Sequence, residues 1–180
     1  MSKKVLVIST SLRAHSNSEA LADAFLSGAQ AAGHQAEKVT LRGKAIAFCT
    51  GCLACQRTQQ CVIQDDANAI TEKMRCADVI AFATPIYYFE MCGQMKTLLD
   101  RANSLYVSDY AFRDIYLLTA AAEDDDTVPQ RAESGLCGWI DCFEKAALAG
   151  TVFASGVNNA GEIDGHPALQ QAYAYGTGIK

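Results

Sequence analysis

Short aliphatic runs alternate along this chain with stretches in which apolar side chains return every three or four positions. The first run, Lys4–Ser9 (KVLVIS), is almost continuously apolar and has the length of a buried strand. Leu21, Ala24, Phe25, Gly28 and Ala32 then recur at helical spacing, and Gly33 stands where a helix C-cap is expected. The same unit repeats. Residues 35–41 read as a second strand, 77–83 (ADVIAFA) as a buried third, and Met95, Leu98, Leu99 and Ala102 trace the next helical face. Residues 115–121 read as a fourth strand, and Leu136, Trp139, Ile140, Phe143 and Ala147 as another helical face. A short strand at 151–154 and a helix at 168–179 follow.

Strands that alternate with helices predict an α/β fold. Right-handed crossovers place helices over each side of a parallel sheet, here of five strands. Residues 1–180 have the length of one domain. The exception to the alternation is 42–65, longer than a connection in a compact domain needs.

Half the residues are apolar, 19% are charged and three are proline, which places the chain in the globular class. The net charge of -5 has no lysine or arginine cluster behind it, so nucleic acid is not an expected partner and a membrane surface gains no support. The opening MSKKVLVIST has an apolar run too short for a signal peptide or a membrane span. With eight cysteines and no secretory signal, the expected setting is the reducing cytoplasm.

In open α/β sheets, ligands bind beyond the carboxyl ends of strands where the strand order reverses, which here means the loops after the first and third strands. The first loop carries Ser9, Thr10, Ser11, Arg13, His15, Ser16, Asn17 and Ser18 into a helix. Hydroxyls, an amide and free backbone N–H groups therefore meet at a positive dipole end, which suits a terminal phosphate. Neither G-x-G-x-x-G nor G-x-x-x-x-G-K-[ST] is present, so a phosphate monoester fits better than a dinucleotide or a nucleoside triphosphate. The plainer alternative is that Asn17 or Ser18 caps the helix, although Arg13 and four serines exceed what a cap requires. His15 faces either the phosphate or solvent.

After the third strand, Thr84-Pro85-Ile86-Tyr87-Tyr88-Phe89 sets three consecutive aromatics where the chain should meet solvent. A flat heteroaromatic ligand would gain from them by stacking and burial; a partly buried turn or an oligomer contact is the alternative. The acidic stretch 123–126 (EDDD) lies near the same opening, either turning away polyanions or simply solvated.

Inside 42–65, Cys49, Cys52, Cys55 and Cys61 follow C-x2-C-x2-C-x5-C. Such compact spacing is that of iron–sulfur sites rather than zinc sites built from two separated pairs, but no proline follows the last cysteine and the final gap is long. The competing reading sets Cys49, Cys52 and Cys55 along one side of a short helix as small buried hydrophobes, with zinc or a redox disulfide as further alternatives. Cys76, Cys92, Cys137 and Cys142 lack metal-like spacing and are expected in the core, Cys92 nearest the ligand. Asp65-Asp66 and His166 are expected to cap helices.

Ser11-x-Arg13-x-x-Ser16-Asn17-Ser18 together with Thr84-Pro85-Ile86-Tyr87-Tyr88 resembles the flavodoxin-like NAD(P)H-dependent FMN reductase family over nearly the whole chain. Further matches are Cys49-x-x-Cys52-x-x-Cys55 followed by Asp65-Asp66, the stretch 94–101 (QMKTLLDR), and Gly161-Glu162-Ile163-x-Gly165. The cysteine pattern is similar to that of iron–sulfur flavoproteins in the same broad family. The resemblance implies one flavodoxin-like, FMN-binding domain. The phosphate would lie on Ser11, Arg13, Ser16, Asn17 and Ser18, and the ring against Pro85, Ile86, Tyr87, Tyr88, Phe89 and the residues around Ala121. It implies electrons from NADH or NADPH passing to a small acceptor such as a flavin or quinone by a ping-pong scheme, with no protein acid or base, and a homodimer or higher homo-oligomer. Two rivals remain: an electron carrier with FMN and a [4Fe–4S] cluster at Cys49, Cys52, Cys55 and Cys61, and a non-enzymatic binding module.

Overall fold

The first unit is strand β1 (Lys4–Ser9), helix α1 (Asn17–Ala31) and strand β2 (Gln35–Thr40) in a computed structural model that describes residues 1–180. The cysteine-bearing stretch holds one short helix, α2 (Cys55–Thr58), and leads into α3 (Asp66–Cys76). Strand β3 (Val79–Tyr87) turns back into a two-residue strand β4 (Glu90–Met91), followed by α4 (Gly93–Arg101) and a 3-10 turn over Ala102–Val107. Then come β5 (Asp114–Ala120), α5 (Gln130–Ile140), β6 (Ala147–Ala154) and α6 (Pro167–Thr177).

The sheet runs β2-β1-β3-β5-β6 with these five strands parallel, the flavodoxin-like order, and β4 pairs antiparallel to β3 outside that path. Chain direction across the sheet reverses between β1 and β3, which opens the crevice used by ligands in such folds. The strands lack polar alternation because helices cover both faces. On one face Leu6, Ile8, Phe82 and Leu117 pack with Met74, Met95, Leu98 and Leu136 from α3, α4 and α5. On the other, Val5, Val7, Ala81 and Leu118 pack with Leu21 and Phe25 of α1 and Ala168 and Ala172 of α6.

Helix α1 ends as its sequence predicts. Gly33 has φ 85, its N–H donates to Gln30 O at 3.0 Å, and His34 N donates to Ala29 O at 3.1 Å, closing a Schellman motif. Its contact with α6 depends on Gly28 and Gly176. A Cβ on either would lie 2.2 Å from a carbonyl oxygen of the facing helix, that of Tyr173 or Phe25.

Three boundaries differ from those read in the pattern. The third strand continues past residue 83 to Tyr87 because Ile86 and Tyr87 pair with Met91 and Glu90, so half of the expected aromatic loop is a hairpin. The last strand starts at Ala147, expected on the preceding helix; a bulge opposite Ile115/Tyr116 lets residues 147–150 join the sheet early. Helix α6 begins at Pro167, whose missing N–H costs nothing in a first turn, behind a His166 ring that accepts from Ala168 N.

Candidate active site

A cavity of about 430 Å³ opens at the carboxyl ends of β1, β3 and β5. It gathers Ser11, Arg13, Ser16, Asn17 and Ser18 from the first loop with Pro85, Ile86, Tyr87, Tyr88 and Phe89 from the β3–β4 hairpin. Ala120, Ala121, Ala122 and Glu123, which follow β5, line a third side. The residues that the resemblance sets around an FMN therefore line one space. Val128, Val157 and Asn158 line it too and escaped the pattern; nothing in residues 155–160 distinguishes the last two from an ordinary surface turn.

The first loop has the donor pattern that an anion cradle requires. Ser16, not Asn17 or Ser18, is the N-cap: its hydroxyl accepts from Glu19 N at 3.2 Å and its carbonyl from Ala20 N at 3.1 Å. The N–H groups of Asn17 and Ser18 are left without a helical acceptor. Beside them the Ser18 hydroxyl is buried and has no hydrogen-bond partner. A phosphate placed there would accept from all three donors and gain the helix dipole. Asn17 is otherwise engaged, donating to Asn159 O at 2.9 Å and accepting from Ile163 N at 3.3 Å. Arg13 is exposed and donates to Asn158 O at 2.6 Å. His15 is exposed with φ 53 and lies outside the cavity.

The aromatic wall is a tight hairpin whose two central residues, Tyr88 and Phe89, hold φ 51 and 65. Such turns favour Asn-Gly, and an aromatic there carries backbone strain of about 1–3 kcal/mol. The Thr84 hydroxyl accepts from Cys92 N at 3.2 Å and donates to Pro85 O at 3.0 Å, bracing the hairpin's base. Tyr88 is 98% exposed, so the alternative of a partly buried turn fails at the tip. Cys92 is buried beneath, with its thiol 3.2 Å from the Thr10 hydroxyl, and does not reach the cavity. Of the acidic stretch, Glu123 faces the cavity. Asp124 accepts from the Ser155 hydroxyl, and Asp125 binds the N–H and hydroxyl of Thr127, which hold its carboxyl below the usual range.

The cysteine loop lies elsewhere, against α4 and α5. Cys49, Cys52, Cys55 and Cys61 line one cavity of about 440 Å³ walled by Leu99, Tyr106, Trp139 and Phe143. Only residues 55–58 are helical, and Cys49 and Cys52 are exposed, so the expectation of buried thiols along one helix is overturned. Gly51 and Leu53, with φ 67 and 56, turn the chain between them. Hydrogen bonding from Ala54 N, then from Thr50, lowers the Cys52 thiol below its ordinary value. No three cysteine, histidine or carboxylate side chains converge on a point that an ion could occupy. As placed, these thiols do not form a closed four-ligand site. The other cysteines also depart from expectation: Cys76 and Cys137 are half-buried, with burial raising both thiols, and Cys142 is exposed on the wall of the thiol cavity.

The loop's base is the most heavily bonded polar site in the molecule, and the sequence reading undervalued it. Asp65 caps α3 through Ala67 N, but it also accepts from Ala47 N and receives two bonds from Arg101 at 2.6 and 2.9 Å. The Arg101 side chain is 0% exposed and donates as well to Ala47 O and Ile63 O. Burial opposes ionisation of Asp65, yet Arg101 and the two backbone N–H groups hold its carboxyl below the usual range.

The cavity at the carboxyl ends of β1, β3 and β5 is lined by no histidine, cysteine or lysine. The model of a family described as NADPH-dependent FMN reductase matches residues 3–160. An iron–sulfur flavoprotein of Methanosarcina thermophila is 36% identical over 111 residues, 62% of this chain and 58% of that one. Another, of Archaeoglobus fulgidus, is 35% identical over 98 residues, 54% of this chain and 44% of that one. The chain spans about half the length of these relatives. An NAD(P)H:quinone oxidoreductase from Methanothermobacter marburgensis superposes with a TM-score of 0.73 at 17% identity, covering 98% of this chain and 96% of that one. An azoreductase from Bacillus anthracis str. Sterne gives 0.74 at 16% identity, covering 99% and 100%. At these identities the two structures speak for the fold.

Proposed function

The chain belongs to the NADPH-dependent FMN reductase family, and from that premise we propose that it is an FMN-dependent oxidoreductase taking electrons from NADH or NADPH and passing them to a small acceptor such as a flavin or quinone. Residues 1–180 would act as one FMN-binding domain, cytoplasmic and in a homo-oligomer. One observation carries the reading: the free N–H groups of Asn17 and Ser18 and the unpartnered Ser18 hydroxyl share a cavity with the Pro85–Phe89 wall and the alanines after β5. Those donors match a phosphate monoester, and the flat apolar wall matches a fused aromatic ring.

Bound FMN supplies the hydride and electron chemistry. The protein's part is to hold and to screen. Ser18 and the α1 N-terminus bind the phosphate, Pro85 and Ile86 form an apolar floor, and the small side chains of Ala120, Ala121 and Ala122 leave room for a ring. Tyr87 and Phe89, each about half exposed, border a face open enough for donor and acceptor to use in turn. Initial rates at several fixed acceptor concentrations test this. Parallel double-reciprocal lines are expected; intersecting lines would mean that donor and acceptor occupy the site together.

A second reading, an electron carrier with FMN and an iron–sulfur cluster, is favoured by four thiols lining one cavity and by the printed description of the iron–sulfur flavoproteins. Their placement does not close around a cluster. A visible spectrum of anaerobically purified protein, with iron and acid-labile sulfide assays, separates the two. A broad absorption beneath the flavin bands would select the carrier. Protein that takes up no FMN would leave the binding-module alternative.

A further inference from the structure

The segment after β6 runs beside the anion cradle, and its shape depends on Glu162, which does not line the cavity. The Glu162 carboxylate accepts from Asn158 N at 2.7 Å, Asn159 N at 2.8 Å and Asn159 Nδ2 at 2.6 Å. The N–H of Asn159 and the carbonyl of Asn158 belong to one peptide group. Arg13 Nη1 donates to that same carbonyl at 2.6 Å. A carboxylate and a guanidinium thus grip opposite ends of a single amide, and each polarises it toward the other.

Arg13 needs this grip. It is exposed, and a free arginine side chain carries about 2 kcal/mol of rotamer entropy that an anion would have to overcome on binding. With one nitrogen tied to Asn158, its remaining donors stay at the rim of the cradle. The segment has separate anchors: Asn17 holds Asn159 O and Ile163 N, Val157 N donates to Ala121 O at 2.9 Å, and Ile163 is buried. Removing the Glu162 charge therefore loosens one peptide without detaching the segment.

We propose that Glu162 is a positioning residue which, through the Asn158–Asn159 peptide, fixes Arg13 over the phosphate cradle and so sets the preference for a phosphorylated flavin over the same ring without phosphate. The inference rests on the FMN reading above, and the experiment separates the two. Flavin-free full-length protein is titrated with FMN and with riboflavin, following quenching of flavin fluorescence, for wild type, Glu162→Gln, Arg13→Ala and the double variant. In Glu162→Gln the FMN Kd is expected to rise about tenfold, the scale of one charge-assisted hydrogen bond, while riboflavin binding changes by less than about twofold. The double variant is expected to bind FMN no worse than Arg13→Ala alone, because both changes remove one contact. Equal weakening toward both flavins, additive losses in the double variant, or a Glu162→Gln protein that fails to fold would each overturn the positioning role. Wild type that binds no FMN would overturn the FMN reading as well.

Discussion

Arg101→Met removes a guanidinium from a site with no solvent around it, and the cost follows from what is left behind. Asp65, with its side chain 11% exposed, keeps only the N–H groups of Ala47 and Ala67, while the Ala47 carbonyl loses its donor and that of Ile63 keeps only Asn68 Nδ2. Breaking a buried pair from one side costs about 3–5 kcal/mol, and the remaining N–H partners of Asp65 place this case near the lower end. The exposed Lys96–Asp100 pair on α4 is the internal control; its loss should cost about 0.3–0.5 kcal/mol. In urea, with a slope of about 2 kcal/mol/M, Arg101→Met should lower the midpoint by about 1.5 M with the slope unchanged. Asp65→Ala should lose a similar amount plus about 1 kcal/mol for the helix cap, and the double variant should fall short of the sum by at least about 2 kcal/mol. Because Arg101 ties Ala47 to Ile63 across the cysteine loop, alkylation of Cys55 and Cys61 should quicken in parallel. A midpoint shift no larger than that of Lys96→Ala would refute the clamp.

The same pair dictates a pH dependence: the folded carboxyl of Asp65 lies below its unfolded value, so its contribution is present above about pH 4 and is lost as pH falls through the folded value. Urea midpoints at pH 7 and pH 3 should drop less in Arg101→Met than in wild type. Ser18→Ala deletes a buried hydroxyl that has no partner in the protein, so flavin-free protein should gain about 1 kcal/mol in urea unfolding while the FMN Kd rises several-fold. Gly28→Ala sets a methyl 2.2 Å from the Tyr173 carbonyl and should cost about 1–3 kcal/mol by forcing α1 and α6 apart, measured by the same unfolding curves.

Periodicity made the sheet legible because both of its faces are covered: strands such as ADVIAFA have no polar position to hide in, and helices such as Met95–Leu98–Leu99 show one face plainly. It failed at Ala147, where a bulge added residues to β6 that carry no period of two. The cradle was legible from its residue types, since hydroxyls and an amide before a helix have few other uses. Residues 161–163 showed only as part of a family match and 155–160 not at all, because the segment's role depends on which carbonyls Arg13 and Asn17 reach across more than 140 positions of chain. Asp65 was read as a local cap for the same reason: its partner, Arg101, is 36 residues away.

Four buried side-chain polar atoms have no partner: Ser9 Oγ, Ser18 Oγ, Thr71 Oγ1 and Arg101 Nε. Ser18 lines the anion cradle and Arg101 the thiol cavity, whereas Ser9 ends β1 and Thr71 lies on α3, away from both. Each costs about 1–3 kcal/mol if nothing ever meets it, and the strained Tyr88-Phe89 turn adds a similar amount at the opposite wall. Stability selected alone would remove the Ser18 hydroxyl with an alanine and the strained turn with Asn-Gly. At the cradle, an unpartnered Ser18 hydroxyl and a strained turn on the facing wall fit a site that becomes satisfied only when occupied. Bound FMN should therefore stabilise the protein beyond simple mass action at the phosphate: Ser18→Ala should shrink the FMN-induced rise in Tm, whereas a change in the thiol cavity such as Cys142→Ser should leave that rise intact.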